Sequence, residues 1–228
     1  MASTAVSGTT QPPPGVATVP GVYAPQDDTR LLATALAREN IPRGADALDL
    51  CTGSGTLALA AARQGARVTA VDISRRAVWN TRLNALLARR RIRVRRGDLT
   101  GPLPPEGRFD LVVSNPPYVP APHTATTGLG RAWDAGVSGR LLLDRICDDV
   151  PPLLRRGGAL LLVHSDLCDP QETLLRLTSA GLHATISARA RVPLGPVLRA
   201  RRGWLRERGL LTPWDQSEGL VIIRAHRP

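Results

Sequence analysis

The sequence predicts an α/β protein whose sheet is mostly parallel and carries helices on both faces. Strand-like and helix-like segments alternate from residue 46 to about residue 180, as in a doubly wound sheet. A glycine-containing turn follows the first strand, and acidic residues end the next two strands. With 228 residues, the chain is long enough to bury a full α/β core.

The predicted elements begin with a helix in residues 22–41, where Leu31, Leu32 and Leu36 have helical spacing. Seven strands are predicted, at residues 45–51, 67–73, 92–99, 108–118, 159–165, 183–189 and 218–226. Further helices are predicted at residues 52–65 after the glycine turn, 74–90, 139–157 and 170–182. Ser74 is a suitable N-cap. The third strand alternates apolar residues with arginines, which is typical of an edge strand.

The domain organisation expected from this pattern is a flexible leader at residues 1–20 and one domain at residues 21–228. The leader is rich in Pro, Ser, Thr and Gly and lacks the features of a signal peptide. A basic insert at about residues 189–215, with Trp204 and Trp214, separates the last two strands. No run of 18 apolar residues predicts a membrane span. Three cysteines, without a Cys/His cluster, favour a cytoplasmic protein without a metal site.

The net charge of +11 comes from 30 basic residues, all of them arginine. A basic surface is typical of proteins that meet nucleic acid or RNA-rich assemblies. A general compositional bias towards arginine explains the charge slightly better, because the arginines are scattered along most of the chain. Two clusters stand out, at residues 89–96 and 189–208. The second cluster makes nucleic acid a candidate partner of the insert.

A cofactor site is predicted at the carboxyl ends of the first strands, where doubly wound sheets bind ligands. Gly53 and Gly55 allow backbone to approach a ligand closely. Asp72, at the end of the second strand, could accept hydrogen bonds from both hydroxyls of a ribose, and Asp98 adds a second acid at the same edge. These positions indicate a nucleoside-containing cofactor.

Two features argue against a dinucleotide. The third glycine of a GxGxxG turn is replaced by Ala58. Asp49 stands just before the turn, where a carboxylate would repel a pyrophosphate but would suit an α-amino group or a sulfonium. The pattern therefore favours S-adenosylmethionine.

The segments "LDLCTGSGTLAL", "VDIS", "GDL" and "NPPYVP", in this order, resemble the HemK/PrmC protein-glutamine methyltransferases. The similarity runs from Val22 to Ala184 and resumes at the final strand. It implies a Rossmann-like, seven-stranded methyltransferase sheet with an antiparallel last strand. It also implies S-adenosylmethionine as cofactor and, as protein substrate, a peptide-chain release factor methylated at the glutamine of its Gly-Gly-Gln loop.

The resemblance extends the expected cofactor site beyond the glycines and aspartates. Thr29, in "VYAPQDDTRLLATAL", matches a threonine that approaches the methionine end of the cofactor in short eukaryotic and archaeal members. Ile73 and Leu99 follow the two acids in "VDIS" and "GDL", and Asn115 of "NPPY" completes the expected cofactor site. Cys51 replaces the first glycine of the family turn and could shift the methionine tail. The short members work with a small activator subunit, a partner that the resemblance leaves open here.

The segment "NPPY" supplies the candidate catalytic residues. Asn115 offers a carbonyl and an NH₂ group, and can pair with a planar amide or with the edge of a base. Pro116 and Pro117 restrict the backbone, so the carbonyls of Asn115 and Pro116 are held in place. Tyr118 provides a flat face for stacking. Acceptors around a planar nitrogen can stabilise the positive charge that develops during methyl transfer.

Nitrogen methylation of a protein glutamine is therefore the leading hypothesis. Similar Asn-Pro-Pro-aromatic motifs also serve adenine and guanine methyltransferases, so nucleic acid remains an alternative substrate. A small-molecule methyltransferase and a non-catalytic, activator-dependent scaffold are further alternatives. His164 is interpreted as a buried histidine rather than a base, while Asp134 and Arg140 could contact a substrate or pair with each other.

Overall fold

The computed structural model describes residues 16–103, 108–123 and 128–228. Within these ranges, one sheet has the strand order β3-β2-β1-β4-β5-β7-β6. Strands β1 to β5 pair in parallel, and β7 runs antiparallel to both β5 and β6. The strands are β1 (Asp46–Leu50), β2 (Arg67–Asp72), β3 (Ile92–Arg96), β4 (Phe109–Ser114), β5 (Leu154–Ser165), β6 (His183–Pro193) and β7 (Ser217–His226). The predicted seven-stranded, mostly parallel sheet with an antiparallel last strand is confirmed.

Helices cover both faces of this sheet. They are α1 (Asp27–Arg38), α2 (Thr56–Arg63), α3 (Arg75–Leu87), α4 (Leu141–Asp149), α5 (Pro170–Ser179), α6 (Pro196–Ala200) and α7 (Arg202–Glu207). One buried cluster joins α1 and α2 to the sheet through residues such as Leu32, Leu36 and Leu57. The other includes Leu143 of α4 and Leu177 of α5. Burial of these apolar side chains on both faces fixes the layers, as the patterning predicts.

The strand order reverses between β1 and β4, because the chain moves from β1 out to β2 and β3 and then returns. The loops that leave β1 and β4 diverge at such a point, which opens a crevice beyond their carboxyl ends. The glycine turn leaves β1, and the Asn-Pro-Pro-Tyr segment leaves β4. The topology therefore brings the two most informative motifs of the sequence together.

The helix predicted at residues 139–157 is too long. Helix α4 ends at Asp149, and β5 begins at Leu154, five residues earlier than expected. Pro151 and Pro152 between them cannot supply the N–H groups that a continuing helix requires. They form a single turn instead.

The predicted boundary of the insert at Arg189 is wrong. Strand β6 continues to Pro193, and it pairs with β7 up to the match of Pro193 with Ser217. The connection between these strands therefore begins at Leu194 and contains α6 and α7. Its own apolar cluster consists of Leu194, Leu198, Leu205 and Leu211.

Residues 16–20 do not belong to a flexible leader as the sequence predicts. Residues 1–15 lie outside the described ranges. The backbone N–H of Ala17 donates to Asn84 Oδ1, and that of Val19 donates to Asn80 Oδ1. Both asparagines donate in return to the carbonyl of Ala17. Asn80 and Asn84 lie one turn apart on α3 and are fully buried, so their amides require such partners. The segment is therefore attached to α3.

In the part of the chain that the structure describes, we find no helix with the length and apolar character needed to cross a membrane.

Candidate functional site

A cavity of about 1000 Å³ lies beyond the carboxyl ends of the central strands. Its wall includes most of the residues that the sequence predicts for the site: Thr29, Cys51, Gly53, Asp72, Ile73, Asp98, Leu99, Asn115, Pro116, Pro117 and Tyr118. Two predicted residues, Asp49 and Gly55, lie outside this wall. The described residues contain no His/Cys/Asp/Glu group that could hold a metal ion.

The glycine turn is held by contacts from β2 and α3. Asp72 Oδ2 accepts the backbone N–H of Gly53 at 2.9 Å. The hydroxyl of Thr81 donates to the carbonyl of Gly53 at 3.0 Å. Gly53 and Gly55 have φ angles of +56° and +83°, in the left-handed region that favours glycine. The turn is thus fixed before any ligand arrives, with its backbone towards the cavity.

Asp49 holds the turn through its Oδ2, while its buried Oδ1 has no hydrogen-bond partner among the described residues, so its contact with a cationic ligand stays a prediction. The carboxylate is 1% exposed, and its Oδ2 accepts the Thr52 hydroxyl at 2.6 Å and the Ala58 N–H at 2.9 Å. Burial raises the pKa of Asp49 to about 7. Its side chain therefore connects β1 to the first turn of α2.

The substitution Gly55→Ala should destabilise the protein strongly. A Cβ at this position would lie 2.8 Å from Cγ2 of Thr81, a fully buried side chain, and the positive φ adds conformational strain. We expect a loss of roughly 2–4 kcal/mol in the free energy of unfolding, measured by urea denaturation.

Gly53→Ala is the matched control, because Gly53 also has a positive φ but a Cβ there would meet its nearest atom only at 4.0 Å. We expect this variant to lose only about 1–2 kcal/mol, the cost of the backbone conformation. Equal losses in the two variants would show that the contact with Thr81 is unimportant.

Two acids lie at the predicted ribose end of the cavity, but in different environments. Asp72 also accepts the N–H of Ser74 at 2.8 Å, and burial raises its pKa. Asp98 is 55% exposed at its side chain and forms a two-point ion pair with Arg145. Ile73 and Leu99, next to these acids in the sequence, contribute apolar side chains to the same cavity wall. Together they form a polar edge beside an apolar slot, an arrangement that suits a nucleoside.

Cys51 occupies the left-handed region, with a φ of +58°, at the position of the first glycine in the resembled turn. Its backbone therefore keeps a conformation that glycine adopts easily and that other residues adopt at a cost. Burial and the neighbouring aspartates raise the pKa of its thiol well above the usual value. The residue consequently presents a neutral thiol to the cavity.

Asn115 directly follows β4, next to the point where the glycine turn leaves β1, and both line the same cavity. Its Nδ2 donates to the Thr29 hydroxyl at 3.1 Å, and that hydroxyl donates to Asp28 Oδ1 at 3.2 Å. With the NH₂ group engaged, the carbonyl oxygen of Asn115 is the group left to accept a hydrogen bond from a ligand.

Asp28 is the central acceptor in this part of the site, and the sequence analysis did not identify it as a site residue. Its Oδ2 accepts hydrogen bonds from the hydroxyls of Tyr23 at 2.9 Å and Tyr118 at 3.0 Å. Tyr118 is only 8% exposed, so little of its ring is open to the cavity. Both tyrosines are held by one buried carboxylate, which makes this wall rigid.

Other residues singled out in the sequence have structural partners. His164 is fully buried, contacts the Ser165 carbonyl through Nδ1, and has its pKa lowered by burial to about 4. Asp134 pairs with Arg201, whereas Arg140 pairs with Asp144. The alternative in which Asp134 and Arg140 pair with each other is therefore wrong. Arg140 also donates to the carbonyl of Asp169 at the start of α5, which anchors that helix.

Comparison with known proteins assigns a family to this architecture. The family model of the methyltransferase small domain matches residues 15–181. A protein from Methanocaldococcus jannaschii, provisionally named a protein N5-glutamine methyltransferase, is 34% identical over 177 residues, which are 76% of this chain and 87% of that protein. The release factor glutamine methyltransferase of Mycolicibacterium smegmatis is 37% identical over 180 residues, 75% of this chain. The chain spans only 63% of the length of that second relative.

Among solved structures, the Mtq2–Trm112 complex of E. cuniculi, described as responsible for methylating the translation termination factor eRF1, is similar. Its matched chain has a TM-score of 0.66 and 25% identity, and the match covers 91% of this chain and 99% of that one. A T. thermophilus 16S rRNA guanine methyltransferase, solved with AdoMet and guanosine, shares the fold with a TM-score of 0.61 and 20% identity. That match covers 92% of this chain and 46% of the other.

Proposed function

Because the chain belongs to the methyltransferase small domain family, we propose that it transfers a methyl group from S-adenosylmethionine to a glutamine side-chain amide of a peptide-chain release factor. The observation that supports this proposal is that Asn115 and the glycine turn line one cavity, at the ends of neighbouring strands. A cofactor held by the turn would face the nitrogen that receives the methyl group, held by Asn115.

The cavity fits the proposed cofactor in size and in its chemical groups. Asp72 would accept the ribose hydroxyls, Ile73 and Leu99 would flank the adenine, and Thr29 and Cys51 would lie at the methionine end. S-adenosylmethionine, when bound, supplies an electrophilic methyl group on a positively charged sulfur. The protein itself must then bring a weak nitrogen nucleophile into line with that methyl group.

Asn115 and the two prolines are suited to hold such a nucleophile. The carbonyl of Asn115 would accept one N–H of the substrate amide, and the backbone carbonyl of Pro116 would accept the other. Prolines at positions 116 and 117 restrict the preceding backbone, so these acceptors do not reorganise during the reaction. Acceptors fixed in this way stabilise positive charge as it develops on the nitrogen.

A protein substrate is favoured over a nucleic acid by the contacts of the insert. Three arginines in or beside its helices are engaged within the protein: Arg201 with Asp134, Arg202 with the Asp215 carbonyl and Gln216, and Arg206 with the Pro213 carbonyl. Guanidinium groups used in this way are less available to phosphates. The names of the relatives also place them in protein glutamine methylation, which would take place in the cytoplasm.

The test incubates the purified protein and labelled cofactor with M. smegmatis release factor, with total RNA and DNA, or with buffer alone. We expect label on the release factor and none when its loop glutamine is replaced by alanine. Label on nucleic acid alone would overturn the proposal. Running each reaction with and without a Trm112 subunit shows whether a small partner raises the activity, as the E. cuniculi complex suggests.

A further inference from the structure

The cavity has a second wall, on the side of β6, α6 and β7, which the proposed mechanism does not use. We call it the insert-side wall. Apart from one carboxylate, the lining residues described in this wall are apolar or glycine: Val192, Pro193, Gly195, Pro196, Val197, Leu198 and Leu220. The exception is Glu218. An acid in such surroundings is costly unless it has a partner.

Glu218 is the second residue of β7 and pairs with Val192 of β6. Its residue surface is 9% exposed, and its buried Oε2 has no hydrogen-bond partner in the part of the chain that the structure describes. Buried polar atoms are nearly always hydrogen-bonded, so an unpaired carboxylate oxygen in a cavity wall indicates a missing donor. Ligand N–H groups are donors of the required kind.

The surroundings of Glu218 connect it to the Asn115 side of the cavity. Burial raises its pKa to about 7, with Asp28 and Asp166 adding to the rise and a hydrogen bond from Ser165 opposing it. Tyr23, Tyr118 and Cys168 are further titratable neighbours, and the Glu218 charge raises the pKa of each. Glu218 thus lies next to the network that runs from Asp28 through Thr29 to Asn115.

Asp28 cannot serve as the acceptor for a ligand in this region, because its partners already occupy it. Its two oxygens accept from Tyr23, Tyr118 and the backbone and hydroxyl of Thr29. Glu218 is the neighbouring carboxylate that still has an unused oxygen.

We propose that Glu218 binds the substrate that receives the methyl group. Its Oε2 accepts a hydrogen bond from an uncharged amide N–H of the segment that carries the methylated nitrogen. This inference rests on the proposed function. The apolar remainder of the insert-side wall would contact the aliphatic part of that segment. Two carboxylates, Glu218 and Asp28, would repel an anionic side chain, so the pocket selects an amide over a carboxylate.

The test compares Glu218→Gln and Glu218→Ala with wild type, using M. smegmatis release factor as substrate. We expect KM for the release factor to rise about 10- to 100-fold, the effect of losing a hydrogen bond to a charged acceptor. The affinity for the cofactor, measured by calorimetry, should remain unchanged. Glu207→Gln, on the exposed side of α7, is the matched control and should behave as wild type.

The pH profile gives a readout that a purely structural role would not change. In wild type, kcat/KM should rise as pH increases through about 7, where Glu218 loses its proton. The Glu218→Gln variant should lack this rise of kcat/KM with pH. The near-isosteric glutamine variant keeps the test valid if the alanine variant does not fold.

The outcomes separate this inference from the proposed function. An active wild type with unchanged KM and pH profile in Glu218→Gln overturns the role of Glu218 alone. A parallel loss of cofactor affinity in that variant also overturns it. A wild type that methylates no release factor overturns the proposed function and the role of Glu218 with it.

Discussion

Replacing Asn115 by alanine is expected to lower kcat for methyl transfer about 100- to 1000-fold, the typical cost of removing one group that stabilises the transition state. The cofactor dissociation constant should change by less than about threefold, because among the described residues the substitution removes a single hydrogen bond, from Asn115 to Thr29. Single-turnover transfer to the release factor and calorimetry with the cofactor measure the two quantities separately. Transfer near the wild-type rate would show that Asn115 does not hold the acceptor.

Thr29→Val is the control for this result. It removes the Thr29 hydroxyl that accepts this hydrogen bond and leaves the Asn115 amide in place. We expect a loss in kcat at least tenfold smaller than that of Asn115→Ala, since one hydrogen bond contributes only about 0.5–1.5 kcal/mol. Equal losses in the two variants would mean that Asn115 acts only through its hydrogen bond to Thr29.

Replacing Asp72 by alanine should instead weaken cofactor binding about 100-fold, because the substitution removes a carboxylate from the ribose end of the cavity. The same change leaves the backbone N–H groups of Gly53 and Ser74 without their acceptor, so the glycine turn should loosen as well. Calorimetric titration with S-adenosylmethionine and the melting temperature of the free protein measure the two effects.

Asp98→Asn is the matched variant at the same edge. Asp98 is half-exposed and paired with Arg145, in a setting where charge contributes little. We expect its cofactor affinity to fall by less than about tenfold. If Asp72→Ala left the affinity unchanged, Asp72 would have no place in the ribose site.

The sequence alone predicts the features of this protein that depend on local patterns. The apolar strands, the glycine turn and the acid that ends β2 are each visible within a few residues. The order of strands and helices then brings the strand ends together, because connections in such sheets are right-handed. For this reason most of the predicted site residues line one cavity.

The features that the sequence did not predict depend on contacts between distant residues. Asp28 bonds to Tyr118, which lies 90 positions further along the chain, so no local pattern connects the two residues. The attachment of Ala17 to Asn84 spans 67 positions. Glu218 has an unpaired oxygen that only the folded structure reveals.

Element ends were predicted less well for a related reason. The arginine-rich pattern of residues 189–193 suggested an insert, but pairing with β7 keeps these residues in a strand. The pairing of distant strands therefore decides where β6 ends, and the local charge pattern does not.

The most direct measurement for the proposed function is tandem mass spectrometry of release factor after incubation with this protein and S-adenosylmethionine. The expected result is a single added methyl group on the side-chain nitrogen of the loop glutamine, absent when Asn115→Ala replaces the wild-type enzyme. A methyl group on a different residue, or an unmodified release factor beside methylated RNA, would contradict it.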